Sequence, residues 1–332
     1  MKKLVSILCA AALALSLAGC GAQEADTNTN TNTTAPVVST VYSLENATVL
    51  TFTDSGITAQ DGTDGYEIDG TALTIDSAGT YAVTGTCADG SITIKKGTSG
   101  VTLVLNGLSL TSADTAPITC NKSTEVTIIA AEGSVNSLTD SAKNNDDEYP
   151  DNEAAENAVI KCKDGSQVTL GGTGSLTITA NGKNGIKSGA TTAEEGAASL
   201  TIRELTLTIN APVNDAVNAE QTLNVESGTL TISAADDALH SDLVLNIGAE
   251  GTEGPAITIT QCYEGIEGAE LNIYSGDISI TSSDDCLNAA NSDLSGYDFS
   301  MNISGGVITA CSSSGDGFDS NGDLTISGGT VT

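Results

Sequence analysis

Acidic residues recur through the second half of the chain in one short phrase: an acid or amide, a small residue, then an apolar one. It reads Asn184-Gly185-Ile186, Asp215-Ala216-Val217, Asp237-Ala238-Leu239, Glu264-Gly265-Ile266, Asp285-Cys286-Leu287 and Asp316-Gly317-Phe318. Three residues after the five acids stand Asn218, His240, Glu267, Asn288 and Asp319, while Asp236 and Asp284 double the acid at two phrases. Oxygen donors without a thiolate or histidine set suit a hard cation, Ca2+ first. The candidate metal ligands are Asp215, Asp236, Asp237, Glu264, Glu267, Asp284, Asp285, Asn288, Asp316 and Asp319. The strongest grouping is expected where Asp284, Asp285, Asp316 and Asp319 meet. A competing reading has each acid capping turn amides and facing water; it explains one acid per phrase but not the doublets.

Something must hold these phrases in line. Successive phrases are separated by 31, 22, 27, 21 and 31 residues. A step near 21 with insertions at corners is the mark of a solenoid. Between phrases lie short alternating runs such as Leu176-Thr177-Ile178, Leu200-Thr201-Ile202 and Leu324-Thr325-Ile326, bounded by Gly, Asp or Ser, with no sustained helical period. The expected fold is all-β, a right-handed parallel β-helix with irregular strands at its N-terminal end. Stacked units put the acids in one column and the residues three places on in a second. Two carboxylates at the strand spacing of about 4.8 Å repel by about 3.5 kcal/mol at an effective dielectric near 20, so a file of them needs amide donors or cations.

Composition narrows the function. Eleven Lys plus Arg against 43 Asp plus Glu leave a net charge of -32, which excludes a nucleic-acid binder. His240 is the only histidine, so a Ser-His or Cys-His pair has no other residue to draw on, and it reads as a surface rung of the second column. Arg203 is the last basic residue; Lys161, Lys183 and Lys187 lie on earlier units. Cys120 and Cys162 occupy like positions in successive units and read as small buried hydrophobes. The acidic run Asp140 to Glu153 reads as a solvated insertion.

The N-terminus reads as a targeting segment. Lys2 and Lys3 precede the apolar run Leu4 to Leu17, too short to span a bilayer. Leu17-Ala18-Gly19-Cys20 resembles a bacterial lipobox, which implies cleavage before Cys20, acylation of its thiol and anchoring at the outer membrane face. Residues 1–19 are thus a lipoprotein signal peptide, 20–45 a lipidated cysteine and disordered linker carrying TNTNTNTT, and 46–332 one β-helical domain. The chain stops partway through a repeat, and a truncated C-terminus is expected.

From about Ala47 onward the chain resembles a family of bacterial surface carbohydrate-binding domains. The resemblance rests on Val101-Thr102-Leu103-Val104-Leu105-Asn106-Gly107, Ala116-Pro117-Ile118, Gly185-Ile186-Lys187-Ser188, Asp237-Ala238-Leu239-His240-Ser241 and Gly315-Asp316-Gly317-Phe318-Asp319-Ser320, in that order and spacing. It implies a calcium-binding parallel β-helix, related in fold to pectate lyases, with affinity for cellulose and polygalacturonate. Asp284-Asp285 followed by Asp316 and Asp319 also looks like the calcium site of family 9 polysaccharide lyases, although Gly315 stands where a further acid could be. Absence of Trp and scattered tyrosines disfavour a stacking platform for crystalline cellulose, so the expected partner is an acidic polysaccharide held through Ca2+. A monomeric, non-catalytic binder is expected. A calcium-dependent pectate lyase is the second reading, disfavoured because Asp236 to Asp319 contains no basic residue except His240. A structural spacer or adhesin is the third.

Overall fold

A computed structural model describes residues 44, 46–60, 64–189 and 198–332. Cys20, the signal peptide and nearly all of the linker lie outside the described residues. Among the described residues every regular element is a strand, and all are linked into one large sheet. Two antiparallel pairs stand at the N-terminal end: Thr48–Thr53 with Gly56–Gln60, and Tyr66–Asp69 with Ala72–Ile75. The remaining strand pairs are parallel, and each joins equivalent residues of successive sequence units.

Three ladders result. Ladder A stacks Ile118–Cys120, Ala158–Cys162, Asn184–Ser188, Val217–Ala219, Leu239–Ile247, Ile266–Ile273, Leu287–Ala289 and Phe318–Ser320. Ladder B includes Gln167–Gly171, Ser199–Ile202, Thr222–Val225, the second halves of Leu239–Ile247 and Ile266–Ile273, Ser300–Ile303 and Asp323–Ile326. Ladder C runs through Val135–Asp140, Ser175–Thr179, Thr206–Ala211, Thr229–Ala234, Ala256–Gln261, Asp277–Ser282, Val307–Ser312 and Thr330–Val331.

The alternation in the sequence explains which way each side chain faces. In ladder C, Leu176, Leu207, Leu230, Ile257, Ile278 and Ile308 stack in register and are fully buried. Thr177, Thr208, Thr231, Thr258, Ser279 and Thr309 alternate with them and are exposed. Each buried Leu or Ile contributes on the order of 2 kcal/mol relative to leaving it in water. Cys120 and Cys162 pair in register and are fully buried, as free thiols.

The small residue of the acidic phrase has a steric cause. A Cβ on Gly185 would lie 2.4 Å from the Ala216 carbonyl oxygen, and one on Gly265 would lie 2.3 Å from that of Cys286. Successive units approach too closely there for any large side chain, and Ala216, Ala238 and Cys286 at the same place are completely buried.

Most of the insertion after Asp140 faces solvent as expected, residues 146–151 included, but Asp140, Asn144 and Asn145 at its base are buried. Asn144 is fully buried, donates to Asp140 Oδ2 at 2.9 Å and accepts from the Glu156 amide at 2.7 Å. Asp140 Oδ1 accepts from the Asn181 amide at 2.6 Å, tying the loop to the next unit.

Candidate functional site

The acids of the repeated phrase sit just before the strands of ladder A, and their backbone carbonyls stack. Gly185 N–H donates to Asp215 O, Ala216 to Asp237, Ala238 to Glu264, Gly265 to Asp285 and Cys286 to Asp316, each at 2.9–3.0 Å. The second column is a file of register partners: Lys161, Lys187, Asn218, His240, Glu267, Asn288 and Asp319. The two lysines belong to the same file as the acids, as the spacing of Lys187 three residues after Asn184 implies.

The side chains answer one another in different ways along the acidic column. Asp215 is buried; its Oδ1 accepts from the Asp237 amide at 3.2 Å and its Oδ2 from Asn218 Nδ2 at 2.6 Å. Asp285 Oδ1 accepts from the Asp316 amide at 2.6 Å. Amide capping therefore serves at two rungs. Burial pushes the carboxyls of Asp215 and Asp285 up, as it does that of Asp237, which reaches about 6.

His240 is a held cation rather than a surface rung. Its Nδ1 lies 3.1 Å from Asp237 Oδ2 and 3.6 Å from Glu267 Oε2, and its Nε2 lies 2.9 Å from Asp242 Oδ1. Burial alone would lower its pKa, but the three carboxylates outweigh burial and hold it up at about 12. Asp242 was missed from the sequence; its place two residues after His240 on one strand puts it on the same face, which is the signal that could have found it.

Glu264 and Glu267 lie side by side on the following rung. Burial raises Glu264 first, and the neighbouring Glu267 raises it further, whereas His240 holds Glu267 ionised. Glu264 Oε2 accepts from Asn288 Nδ2 at 2.8 Å. The other end of that amide, Asn288 Oδ1, is buried and has no hydrogen-bond partner among the described residues.

Among the described acids, histidine and cysteines, two triads bring ligand atoms within 4.8 Å of one another: Asp215 with Asp236 and Asp237, and Asp237 with His240 and Glu267. Asp284, Asp285, Asp316 and Asp319, where the sequence places the strongest grouping, also come near one another: after burial, the charges of Asp284, Asp319 and Asp316 raise the Asp285 carboxyl. Asp319 caps the Ser320 amide at 2.8 Å, and Asp316 is exposed. The glycine among these acids has a reason: a Cβ on Gly315 would lie 2.4 Å from Asp284 Oδ1 and 2.5 Å from Asp285 Oδ1.

Lys187 comes close to the first triad through one intermediate. Its Nζ donates to Asn218 Oδ1 at 3.0 Å, and Asn218 Nδ2 donates to Asp215 Oδ2. Lys187 lies four strands from Asn288 along ladder A and one from Asn218.

Ladder B carries a further column unseen in the sequence. Asn246 Nδ2 donates to Asn224 Oδ1 at 2.9 Å, Asn272 to Asn246 at 3.0 Å and Asn302 to Asn272 at 3.1 Å. The recurring Leu-Asn-Val or Leu-Asn-Ile triplet was its trace in the sequence.

Known proteins resemble this chain in fold and in sequence. The structure is similar to that of the polysaccharide lyase-like protein from C. thermocellum, solved as a gadolinium derivative, with a TM-score of 0.59 at 25% identity, covering 86% of this chain and 99% of that one. No curated relative matches. The family model for carbohydrate-binding domain-containing proteins matches residues 69–332, which include both triads and the whole acidic column, so the chain belongs to the carbohydrate-binding domain-containing protein family.

Proposed function

We propose that this chain is a surface-anchored, non-catalytic polysaccharide binder whose strands wind as a right-handed parallel β-helix, and that Ca2+ seated on the acidic column both stiffens the domain and recruits an acidic, pectin-type glycan. The observation that carries the reading is Asn288 Oδ1. A buried carbonyl oxygen without a donor costs on the order of 1–3 kcal/mol, and here it lies one rung from Glu267 and beside Glu264. A carbonyl oxygen and two carboxylates are the donor set of a hard cation. Asp215, Asp236 and Asp237 supply a second all-oxygen set. Ca2+ bound there would offer open coordination positions to a uronate carboxylate. His240 already neutralises the Asp237–Glu267 gap between the two sets, so it separates them. The lipid anchor at Cys20, the outer-face location and the monomeric state belong to the same proposal.

The test is binding of polygalacturonate and of cellulose by the mature domain in Ca2+ and in EGTA. Calcium-dependent retention of polygalacturonate, lost in Glu264→Gln, is expected; equal retention in both buffers would sink the calcium reading.

The Lys187–Asn218–Asp215 chain favours a second reading, a calcium-dependent lyase. β-Elimination needs a base near a cation that neutralises the uronate carboxylate, and Lys187 stands next to the first triad. Unsaturated product from polygalacturonate, abolished in Lys187→Ala, would replace the binder by the enzyme.

A further inference from the structure

The basic end of the second column carries more than the reading above requires. Lys161 and Lys187 are register partners on adjacent strands, so two ammonium groups leave the same face one strand spacing apart. Lys187 is satisfied by Glu220 Oε1 at 3.1 Å and Asn218 Oδ1 at 3.0 Å. Lys161 is half-buried, and among the described residues its ammonium has neither a hydrogen bond nor an ion pair. The acids that act on Lys161 are each bonded to another lysine: Glu220 to Lys187 at 3.1 Å, Glu156 to Lys163 at 2.6 Å and Asp164 to Lys122. Burial first and then the charge of Lys187 disfavour the ammonium of Lys161 and outweigh the favourable charges of Glu220 and Glu156, so its pKa is lowered. In a chain of net charge -32, these two stacked lysines have one directly bonded acid, Glu220 on Lys187, so the pair carries one more positive charge than the carboxylate bonded to it.

We infer that Lys161 and Lys187 form a carboxylate-binding subsite that takes a uronate of an acidic glycan without any metal. The inference rests on the glycan-binding reading for the identity of the anion, but not on calcium. A carboxylate lying across both ammonium groups accepts two charge-assisted hydrogen bonds and removes their mutual repulsion. The ladder sets the direction of the bound chain. His240 lies two strands beyond Lys187, about 10 Å at the strand spacing, so an oligouronate of a few residues laid along ladder A reaches from the lysines to the first triad. One uronate is then held by ammonium without metal, while any further uronate facing the acidic column would need a bridging cation. A column that changes from basic to acidic gives the glycan a fixed register.

The experiment measures trigalacturonate binding to the full domain in EGTA, with inorganic sulfate as competitor, and polygalacturonate binding in Ca2+ as a separate arm. The Lys161→Gln/Lys187→Gln double variant should weaken trigalacturonate by about tenfold or more, the usual scale for truncating charged contacts in an interface. Lys187→Arg should retain most of the affinity. Lys96→Gln, which removes an exposed charge elsewhere, should bind as wild type. Lys161→Met keeps the apolar stem and guards against a folding defect, and each variant is checked by its melting curve. Equal losses in Lys96→Gln and the double variant would overturn the subsite, as would no binding by wild type in EGTA; calcium-dependent polygalacturonate binding in that same case would leave the proposed function standing. Lysine-dependent binding in EGTA with no effect of calcium would uphold the subsite and remove the calcium reading. Sulfate displacing trigalacturonate at equal concentration would show a general oxyanion site and overturn the uronate assignment.

Discussion

The asparagine column of ladder B and the acidic column beside ladder A rise through the same units, and Leu239–Ile247 contributes to both through Asn246 and His240. Each stacks like upon like, yet they behave differently. A carboxamide both donates and accepts, so Asn224, Asn246, Asn272 and Asn302 satisfy one another in a chain of hydrogen bonds. A carboxylate only accepts, so its stack must find donors or cations elsewhere. The protein recruits four kinds: main-chain amides at Asp215 and Asp285, side-chain amides at Asp215 and Glu264, an imidazolium at Asp237, and a raised proton affinity at Glu264. The difference teaches that the amide column is a complete structural device while the acidic one is an unfinished electrostatic one. The unpartnered Asn288 Oδ1 marks where completion is lacking.

The largest effect expected from this contrast is calcium itself. At a hundredfold excess over its dissociation constant, a ligand specific for the folded state adds about 2.7 kcal/mol. Melting should rise by several degrees in millimolar Ca2+, and much less in Mg2+. Asn288→Leu and Glu264→Gln should lose most of that rise, whereas Asn272→Leu should keep it; an unchanged rise in Glu264→Gln would break the comparison.

Next comes Gly315→Ala. The added Cβ must displace the carboxylates of Asp284 and Asp285 and the Asp284 main chain, whose carbonyl carbon lies 2.6 Å from it. Overpacking of this kind costs about 1–3 kcal/mol, read by denaturant unfolding with and without calcium. A neutral substitution would show that these acids are free to move apart.

The imidazolium gives a pH signature. His240 titrates near 6.5 in the unfolded chain and at about 12 in the folded one. Its contribution is complete below 6.5 and is lost as pH rises towards 12. In EGTA, stability should therefore fall between pH 7 and 9 by up to about 1.4 kcal/mol per unit, and His240→Gln should flatten the slope. Asp237, raised from 3.8 to about 6, has the same sign: the folded form binds its proton first, so stability is gained as pH falls through 6 towards 3.8. Rising stability between pH 7 and 9 would contradict the held imidazolium.

The smallest effect belongs to the self-sufficient column. Asn272→Leu leaves Asn246 Oδ1 without its donor and Asn302 Nδ2 without its acceptor, both at least partly open to water. A loss of about 1 kcal/mol, equal in Ca2+ and EGTA, is expected. A calcium-dependent loss would mean that the two columns are coupled.

Much of the fold was legible because its determinants are periodic. Alternating Leu-Thr-Ile runs dictate strands with one buried face, and a repeated step dictates which residues stack. The small residue after each acid was visible as a pattern before its cause, the carbonyl oxygen of the next unit, was known. The column Asn218, His240, Glu267, Asn288 and Asp319 follows from counting three residues on, and the register pairs them as counted.

The chemistry of the individual rungs was not legible, because side-chain geometry decides it, both between near neighbours such as Asp237 and His240 and between residues 20 to 30 positions apart such as Glu264 and Asn288. Sequence placed the strongest acid grouping at Asp284, Asp285, Asp316 and Asp319, whose charges act on one another; the structure also draws together Asp215, Asp236 and Asp237. Sequence read His240 as an exposed rung, but the facing carboxylates of Asp237, Asp242 and Glu267 make it a fixed cation. The loop after Asp140 looked polar and solvated, yet Asp140 and Asn144 turn inward to bind main-chain amides. By itself the sequence determined the all-β class, the repeat and the composition of the two acidic columns, since periodicity alone sets which residues face out and which stack. Only the tertiary structure decided which carboxylates meet a donor, which meet a cation and which carbonyl is left over, because those outcomes depend on side-chain geometry within and between units rather than on residue order.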